Sequence, residues 1–323
     1  MRVIQAERFG GPEVLVVRVV DDPVAGDGEA VIEVEAADTL FVETQIRRGG
    51  VRAFFQVEPP YVPGGAVAGR VRAAGGGVDP GWVGREVAAF AGGGGGYAEQ
   101  VVVPAEALIA VPGGLGTARA AALMHDGVTG LSVFESAEVK PGEWVLVTAA
   151  GGGMGVLLVQ LARAAGARVA AAARGASKLG LARELGAELV VDYTGPGWAE
   201  HVRVATGGAG ADVVFDGAGG EIGRAAFQVT ADGGRFSAHG AAAGGFAPVD
   251  PAEAARRGVT VRGIGDVRLG LPERRALAAR ALAEAAAGRI RPVIGRTFPL
   301  DHAADAHTAI EARTVTGKAL LVP

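Results

Sequence analysis

Short runs of β-branched residues, broken by Gly, Pro and Asp, dominate the first part of the chain up to about residue 122. This pattern is typical of a β-rich domain. It predicts strands that include 14–20, 29–35, 65–73, 86–89 and 100–103. The glycines Gly92 to Gly96 lie between the last two of these strands, and we expect them to form a plain hairpin tip.

From about residue 123, strands alternate with helices. An apolar strand over 144–149 is followed by a glycine turn and by a helical period over 156–165, which ends at Gly166. Such alternation buries a parallel sheet between helices, so we expect a doubly wound nucleotide-binding domain over 123–266. The further predicted elements are a helix over 177–185 and strands over 168–173, 188–191, 211–216, 235–239 and 259–264.

The remaining residues, 267–323, predict an Ala-rich helix, a strand, a second helix and a last strand. They lie over 272–287, 296–298, 301–311 and 319–322. These residues are too few for a third domain. We therefore expect 1–122 and 267–323 to form one β-rich domain, with the nucleotide-binding domain inserted into it, in an α/β protein.

The composition excludes several kinds of catalytic site and binding partner. The 323 residues include no cysteine, which excludes disulfides, thiolate nucleophiles and thiolate metal sites. The 31 basic and 35 acidic residues give a net charge of −4, so we expect no nucleic-acid partner. No apolar run reaches membrane-spanning length, and the N-terminus predicts a strand, so we expect a cytoplasmic protein with no membrane partner. We interpret the five histidines as surface or capping residues.

The segment 148–155 joins the apolar strand to the next helix. Free backbone N–H groups and the positive end of the helix dipole make such a turn a binding site for a pyrophosphate. Gly152 lets the backbone approach the phosphates, and Gly155 lets the helix pack closely on the strand. With Gly153 and Met154, these residues are the candidate pyrophosphate site.

The turn after the second strand of this unit indicates which dinucleotide binds. An NAD-specific fold places Asp or Glu there to hold the ribose 2′-hydroxyl. Here no acidic residue occurs between Glu143 and Glu184, and the turn offers Arg174, Ser177 and Lys178. Charge-assisted hydrogen bonds from these groups would favour a 2′-phosphate, so we predict NADPH. The alternative is that Arg174 and Lys178 are solvated surface cations.

Several collinear motifs extend over nearly the whole chain: 10–15, 46–49, 64–71, 127–129, 140–142, 148–155, 216–220, 296–300 and 317–323. On these motifs the chain resembles the zinc-free quinone oxidoreductase branch of the medium-chain dehydrogenase/reductase superfamily, the group that includes zeta-crystallin. The resemblance implies a GroES-like catalytic domain, a Rossmann domain, NADPH in the cleft between them, and commonly a homodimer. Zinc-dependent relatives carry a Cys ligand and a His-Glu pair, where this chain has Gly64-Gly65-Ala66, so no metal is expected.

The resemblance also implies roles for individual residues. Thr129 is expected near the nicotinamide, and Lys178 and Tyr193 near the adenosine phosphate. Gly217, Gly240 and Lys318 are expected along the cofactor cleft. An alternative for Tyr193 is packing as an aromatic residue at the end of a strand.

One loop departs from the family pattern. Relatives often read Asn-Phe-x-Asp-x-Tyr-x-x-Arg, with the Asn and the Tyr facing substrate, whereas Leu40 and Gln45 occupy those positions here. We expect a more apolar substrate pocket as a result, and we take Leu40, Gln45 and Thr129 as candidate active-site residues. His125 and Asp126 could supply a proton near the nicotinamide, but a linker role is the favoured interpretation.

The expected function is NADPH-dependent reduction of a quinone by direct hydride transfer without a metal, with water supplying the proton. Reduction of an enone or alkenal double bond is the alternative, and a non-catalytic NADPH-binding protein is a second one. We expect a homodimer paired through the strand predicted near 259–264.

Overall fold

The computed structural model describes residues 1–52 and 54–323. The helices are α1 (Phe41–Arg47), α2 (Thr117–Ser136), α3 (Gly153–Ala164), α4 (Ala176–Glu184), α5 (Trp198–Ala205), α6 (Gly220–Gln228), α7 (Pro251–Arg256), α8 (Leu271–Ala286) and α9 (Ala303–Glu311). The strands are β1 (Arg2–Ala6), β2 (Leu15–Val19), β3 (Glu29–Asp38), β4 (Ala66–Ala74), β5 (Glu86–Phe90), β6 (Gln100–Pro104), β7 (Ile109–Ala110), β8 (Trp144–Thr148), β9 (Arg168–Ala173), β10 (Leu189–Asp192), β11 (Ala211–Asp216), β12 (Thr230–Ala238), β13 (Thr260–Gly263), β14 (Ile294–Pro299) and β15 (Lys318–Val322).

Residues 1–128, 271–288 and 292–323 form one compact unit, which we call unit 1. Its main sheet has the order β14-β15-β3-β4-β5-β7, and β6 also pairs with β3. The long strand β3 pairs antiparallel with β4, β6 and β15. The C-terminal strands thus lie in the same sheet as the N-terminal ones, and the side chains between this sheet and α9 form a buried apolar core.

The glycine segment Gly92 to Gly96 is not a hairpin tip. β5 pairs with β4 and β7, whereas β6 pairs with β3, so the glycines connect strands that are not neighbours. The N–H of Gly95 donates to the carbonyl oxygen of Val62 at 2.8 Å. The segment therefore packs along the preceding chain, a long-range contact that the local pattern does not encode.

Residues 129–270 and 289–291 form unit 2. Its sheet has the order β10-β9-β8-β11-β12-β13, and every pairing in it is parallel. Successive residues of each strand face opposite sides, and each side carries its own buried apolar cluster. This doubly wound sheet, together with the β-rich unit 1, confirms the predicted α/β class.

Local signals set several element ends in unit 2. α3 ends where Gly166 adopts a positive φ of 78°. α7 begins after Asp250, whose side chain accepts the N–H of Ala252, with Pro251 in the first turn. The expected domain boundary at residue 122 lies inside α2, because that helix continues to Ser136. None of the described helices combines the length and the apolar character needed to cross a bilayer.

Candidate cofactor site and substrate cavity

The glycine turn of unit 2 has the geometry of a phosphate-binding helix start. α3 begins at Gly153, directly after the buried strand β8, with Gly152 as its N-cap. The first N–H groups of a helix have no acceptor within the helix, so those of residues 153–155 are available to an anion. A Cβ on Gly155 would lie 2.4 Å from the carbonyl oxygen of Ala149, so the strand and the helix approach too closely there for any side chain.

A buried hydrogen-bond network fixes this turn to the one after β11. The hydroxyl of Thr148 donates to Asp216 Oδ1 at 2.6 Å, and the N–H groups of Ala218 and Gly219 also donate to this carboxylate. Burial raises the pKa of Asp216, and the three donors act against that shift. Asp216 therefore holds the two loops at the carboxyl edge of the sheet in one arrangement.

Gly217 and Gly240 meet at this edge. A Cβ on Gly240 would lie 2.0 Å from the carbonyl oxygen of Gly217, so the two loops touch through their backbones. His239 is buried beside them, with Nδ1 3.3 Å from the hydroxyl of Ser237. Burial lowers the pKa of His239 to about 4.

The predicted 2′-phosphate turn follows β9. Arg174 and Ser177 are exposed there, and the side chain of Lys178 lies against the glycine turn, 2.5 Å from an ideal Cβ on Gly151. Lys178 thus contacts the glycine turn, and Arg174 and Ser177 precede it in the chain. Thr129, the residue expected near the nicotinamide, lies on α2 and is half-buried.

A carboxylate that sequence reasoning missed also lies at this turn. Asp192 Oδ2 accepts the N–H of Gly175 at 3.0 Å, and hydrogen bonds from Thr194 lower the pKa of Asp192. The predicted preference for NADPH rests on the absence of acidic residues between Glu143 and Glu184, whereas Asp192 lies beyond that range, at the end of the neighbouring strand β10. The next residue, Tyr193, packs edge-to-face on Trp198 with ring centroids 6.5 Å apart.

Unit 1 contains a cavity of about 230 Å³ with a largely apolar wall. Leu40 lines it, whereas Gln45 does not and donates instead to the hydroxyl of Thr44 at 3.0 Å. The polar lining residues are Glu43, Tyr61, His125 and Arg274, and the apolar side chains are those of Leu40, Val42, Ile46, Phe55, Val57 and Pro63.

A chain of hydrogen bonds connects Glu43, which lines this cavity, to buried side chains of unit 1. Arg47 has only donors, so His307 Nδ1, 3.2 Å away, must accept, and Nε2 carries the proton that points to the hydroxyl oxygen of Tyr97 at 3.0 Å. Tyr97 in turn donates to Glu43 at 2.8 Å. Glu43 also accepts the N–H groups of Leu40 and Gly65. Burial raises the pKa of Glu43 and lowers that of His307 to about 3.

The interpretation of the histidines as surface or capping residues is therefore wrong for His239 and His307. Both are buried, and each is neutral because burial disfavours the imidazolium. No spacing signal marks His307, since its partners Arg47 and Tyr97 come from distant parts of the chain.

Lys318 lies at the start of β15, with its side chain 5% exposed. Its ammonium is 2.5 Å from Asp38 Oδ1 and 3.1 Å from Asp126 Oδ2. Burial alone would lower the pKa of Lys318, but the two carboxylates raise it. These contacts occupy the ammonium within unit 1, and a role for Lys318 in cofactor binding stays a prediction.

Comparison with known proteins identifies the family. Residues 26–113 match the alcohol dehydrogenase GroES-like domain, and residues 153–282 match the domain described as zinc-binding dehydrogenase. The quinone oxidoreductase of Sus scrofa is 31% identical over 100% of this chain and 98% of its own length. This chain belongs to the zinc-free quinone oxidoreductase branch of the medium-chain dehydrogenase/reductase superfamily.

Two further proteins resemble this chain over nearly its whole length. The 2-haloacrylate reductase of a Burkholderia species is 33% identical over 97% of this chain and 96% of its own. The quinone oxidoreductase of Escherichia coli, solved as a complex with NADPH, is 26% identical, covers both chains completely and superposes with a TM-score of 0.91.

The second domain matches a family described as zinc-binding dehydrogenase, but this chain has no cysteine. Among residues 1–52 and 54–323, no group of three or more His, Asp or Glu side chains is arranged to hold a metal ion. The glycine turn, by contrast, fits a dinucleotide: its tight backbone approach at Gly155 and the free N–H groups of α3 form a cradle that side chains would fill.

Proposed function

We propose that this protein is an NADPH-dependent oxidoreductase that reduces quinones by direct hydride transfer without a metal. The observation that carries this proposal is the glycine turn at the start of α3, with Lys178 against it and with Arg174 and Ser177 just before Lys178 in the chain. The NADPH complex of the E. coli relative supports the same cofactor.

The chain's own residues bind and orient the cofactor and the acceptor, and they exclude water from the site. The N–H groups at the start of α3 hold the pyrophosphate, and the turn after β9 holds the 2′-phosphate. NADPH supplies the hydride when bound. The apolar wall of the unit 1 cavity, which includes Leu40, suits a flat and weakly polar acceptor such as a quinone.

The cofactor assignment is tested by calorimetry with NADPH and NADH. We expect Arg174→Ala to reduce the preference for NADPH by about tenfold, the loss of one charge-assisted hydrogen bond to phosphate. Arg183→Ala, at the other end of α4, is the matched control and should leave the ratio of the two dissociation constants unchanged. An unchanged ratio in Arg174→Ala would remove the assignment of this turn.

A second candidate function is reduction of an activated carbon-carbon double bond. The 33% identity to a protein named 2-haloacrylate reductase favours it. Steady-state oxidation of NADPH with a panel of quinones, enones, alkenals and 2-haloacrylates separates the two functions. Tight NADPH binding without turnover of any acceptor would instead support a non-catalytic NADPH-binding protein.

The assembly and location remain proposals. We propose a homodimer paired through β13, which is one of the two edge strands of the parallel sheet and carries exposed Thr260 and Arg262. Light scattering that gives the mass of a single chain would contradict this pairing. A location in the cytoplasm is tested by cell fractionation.

A further inference from the structure

The imidazole of His125 lies at the wall of the unit 1 cavity, held in one orientation. Its Nδ1 is 2.8 Å from Asp38 Oδ2. Its ring packs edge-to-face on Phe90, with centroids 5.4 Å apart, and an ideal Cβ on Gly65 would lie 3.0 Å from Cε1 and 3.1 Å from Nε2. The side chain is 19% exposed, so it is neither a surface group nor a sealed core residue.

The hydrogen bond to Asp38 decides the protonation of Nδ1. An ionised carboxylate only accepts, so Nδ1 carries a proton, and Nε2 gains one only in the imidazolium. The carboxylates of Asp38 and Asp126 face a single fixed cation, Lys318, in the same cluster. Burial raises the pKa of Asp126, so the carboxylate that faces the imidazole directly is that of Asp38.

The other polar groups of the cavity are poorly suited to release a proton. Glu43 already accepts two backbone N–H groups and the hydroxyl of Tyr97. Burial raises the pKa of Tyr61 to about 12. Arg274 has its guanidinium 4.6 Å from the ring centroid of Phe90, and a guanidinium does not release its proton in proteins. An imidazole is the side-chain type that can both donate and release a proton near neutral pH, and among the described lining residues His125 supplies it.

We propose that His125 is the proton donor of the reaction and that Asp38 is its positioning residue. This inference rests on the proposed function. When the quinone accepts hydride at one carbonyl oxygen, the electron pair moves through the ring to the opposite oxygen. A new O–H bond forms there with the proton of His125 Nε2, whose N–H electron pair stays on nitrogen. NADP⁺ and hydroquinone result, and water returns a proton to the imidazole.

Two variants separate proton transfer from hydrogen bonding. His125→Gln keeps an N–H donor near the position of Nε2 but cannot release a proton, whereas His125→Phe keeps a ring and loses both abilities. We expect both variants to lower kcat for quinones by about a hundredfold or more, the usual contribution of a general acid. His302→Gln removes an exposed histidine of unit 1 and is the control, with unchanged kcat.

The size of the loss should depend on the acceptor. Chlorinated quinones give weakly basic hydroquinone anions, which need little help from an acid, whereas alkylated quinones give more basic ones. Removal of His125 should therefore slow alkylated quinones more than chlorinated ones. An equal loss across the series would show that His125 only shapes the cavity and would overturn its role as donor.

Binding of 4-nitrophenol to the cofactor-free protein gives a readout that does not depend on turnover. Its phenolate oxygen imitates the reduced quinone, and we expect His125→Phe to raise its dissociation constant about tenfold, with a smaller change in His125→Gln. Thermal unfolding identifies a misfolded variant, and in that case the other variant decides. Equal affinity in wild type and in a folded His125→Phe protein would refute the proposal.

The outcomes also separate this proposal from the proposed function. A wild-type protein that reduces no quinone overturns both. An active wild type with an undiminished His125→Phe variant overturns only the role of His125.

Discussion

The buried His307 should make unit 1 sensitive to acid. Burial and the neighbouring Arg47 guanidinium lower its pKa from 6.5 to about 3. A proton on Nδ1 would point at the donor groups of Arg47, 3.2 Å away, so the folded protein resists protonation. The unfolded chain binds that proton readily, and stability must fall as the pH drops below about 6.5.

The magnitude follows from the two pKa values. Between about pH 7 and about pH 5, the unfolded state gains nearly one proton at this site and the folded state almost none, which costs about 2 kcal/mol of unfolding free energy. The full difference, reached only below about pH 3, is about 5 kcal/mol. Stability is therefore complete at neutral pH and is lost as the pH falls toward the folded pKa.

Urea unfolding followed by circular dichroism at a series of pH values measures this effect. His307→Gln cannot titrate, so its curve should lose about 2 kcal/mol less than wild type between about pH 7 and about pH 5. The comparison with wild type removes the contribution of the other groups that titrate in this range. Hydrogen exchange over residues 303–311 assigns the effect to unit 1.

His302→Gln provides the matched control. His302 is exposed, and its hydrogen bond to Asp305 raises its pKa, so its contribution has the opposite sign: it is present at low pH and lost as the pH rises. Parallel curves for wild type and His307→Gln over the acid range would refute the reasoning, because they would show that the imidazole takes up its proton equally in both states.

Three further substitutions test the cofactor turn, the buried ion pairs and the cavity. Gly155→Ala should weaken NADPH binding more than tenfold by calorimetry, since its methyl would clash with backbone at 2.4 Å, whereas Gly180→Ala, with nothing within 4 Å, should stabilise α4 by about 0.5–1 kcal/mol. Lys318→Met should cost about 3 kcal/mol or more in thermal unfolding by removing the cation that two buried carboxylates share, and the exposed Lys140→Met should cost nearly nothing. Leu40→Asn should keep the fold and raise the KM for alkylated quinones several-fold, and an unchanged KM would separate Leu40 from substrate binding.

Local patterns predict the elements of unit 2 well. The predicted bounds of β9 and β11 match the structure, and the glycine turn lies at the start of α3 as expected. Short-range periodicity and a nearby glycine suffice to predict the glycine turn, because β8 is fully buried and α3 packs directly on it. The helix that was predicted to begin at 156 begins at Gly153, since the glycines already adopt helical geometry.

Contacts between distant residues set the features that sequence reasoning missed. Asp38 and Lys318 are 280 positions apart in the chain, and antiparallel pairing of β3 with β15 brings their side chains together. Asp192 reaches the turn of Arg174 only because β10 pairs with β9. The sequence around Asp38 does not indicate its contact with Lys318, and the sequence around Asp192 does not indicate its contact with the turn after β9.

A hydrogen bond to the backbone explains how the cavity can differ from the family pattern without loss of the fold. Glu43 fixes the backbone of Leu40 through its N–H, so the side chain at position 40 is free to change from Asn to Leu while its position stays constant. That change removes a polar group from one wall of the cavity. The imidazole of His125 lies at another wall, held by Asp38 from β3, the strand that leads directly into this loop. On the proposed function, orientation of an apolar acceptor and delivery of a proton thus belong to different side chains of one cavity.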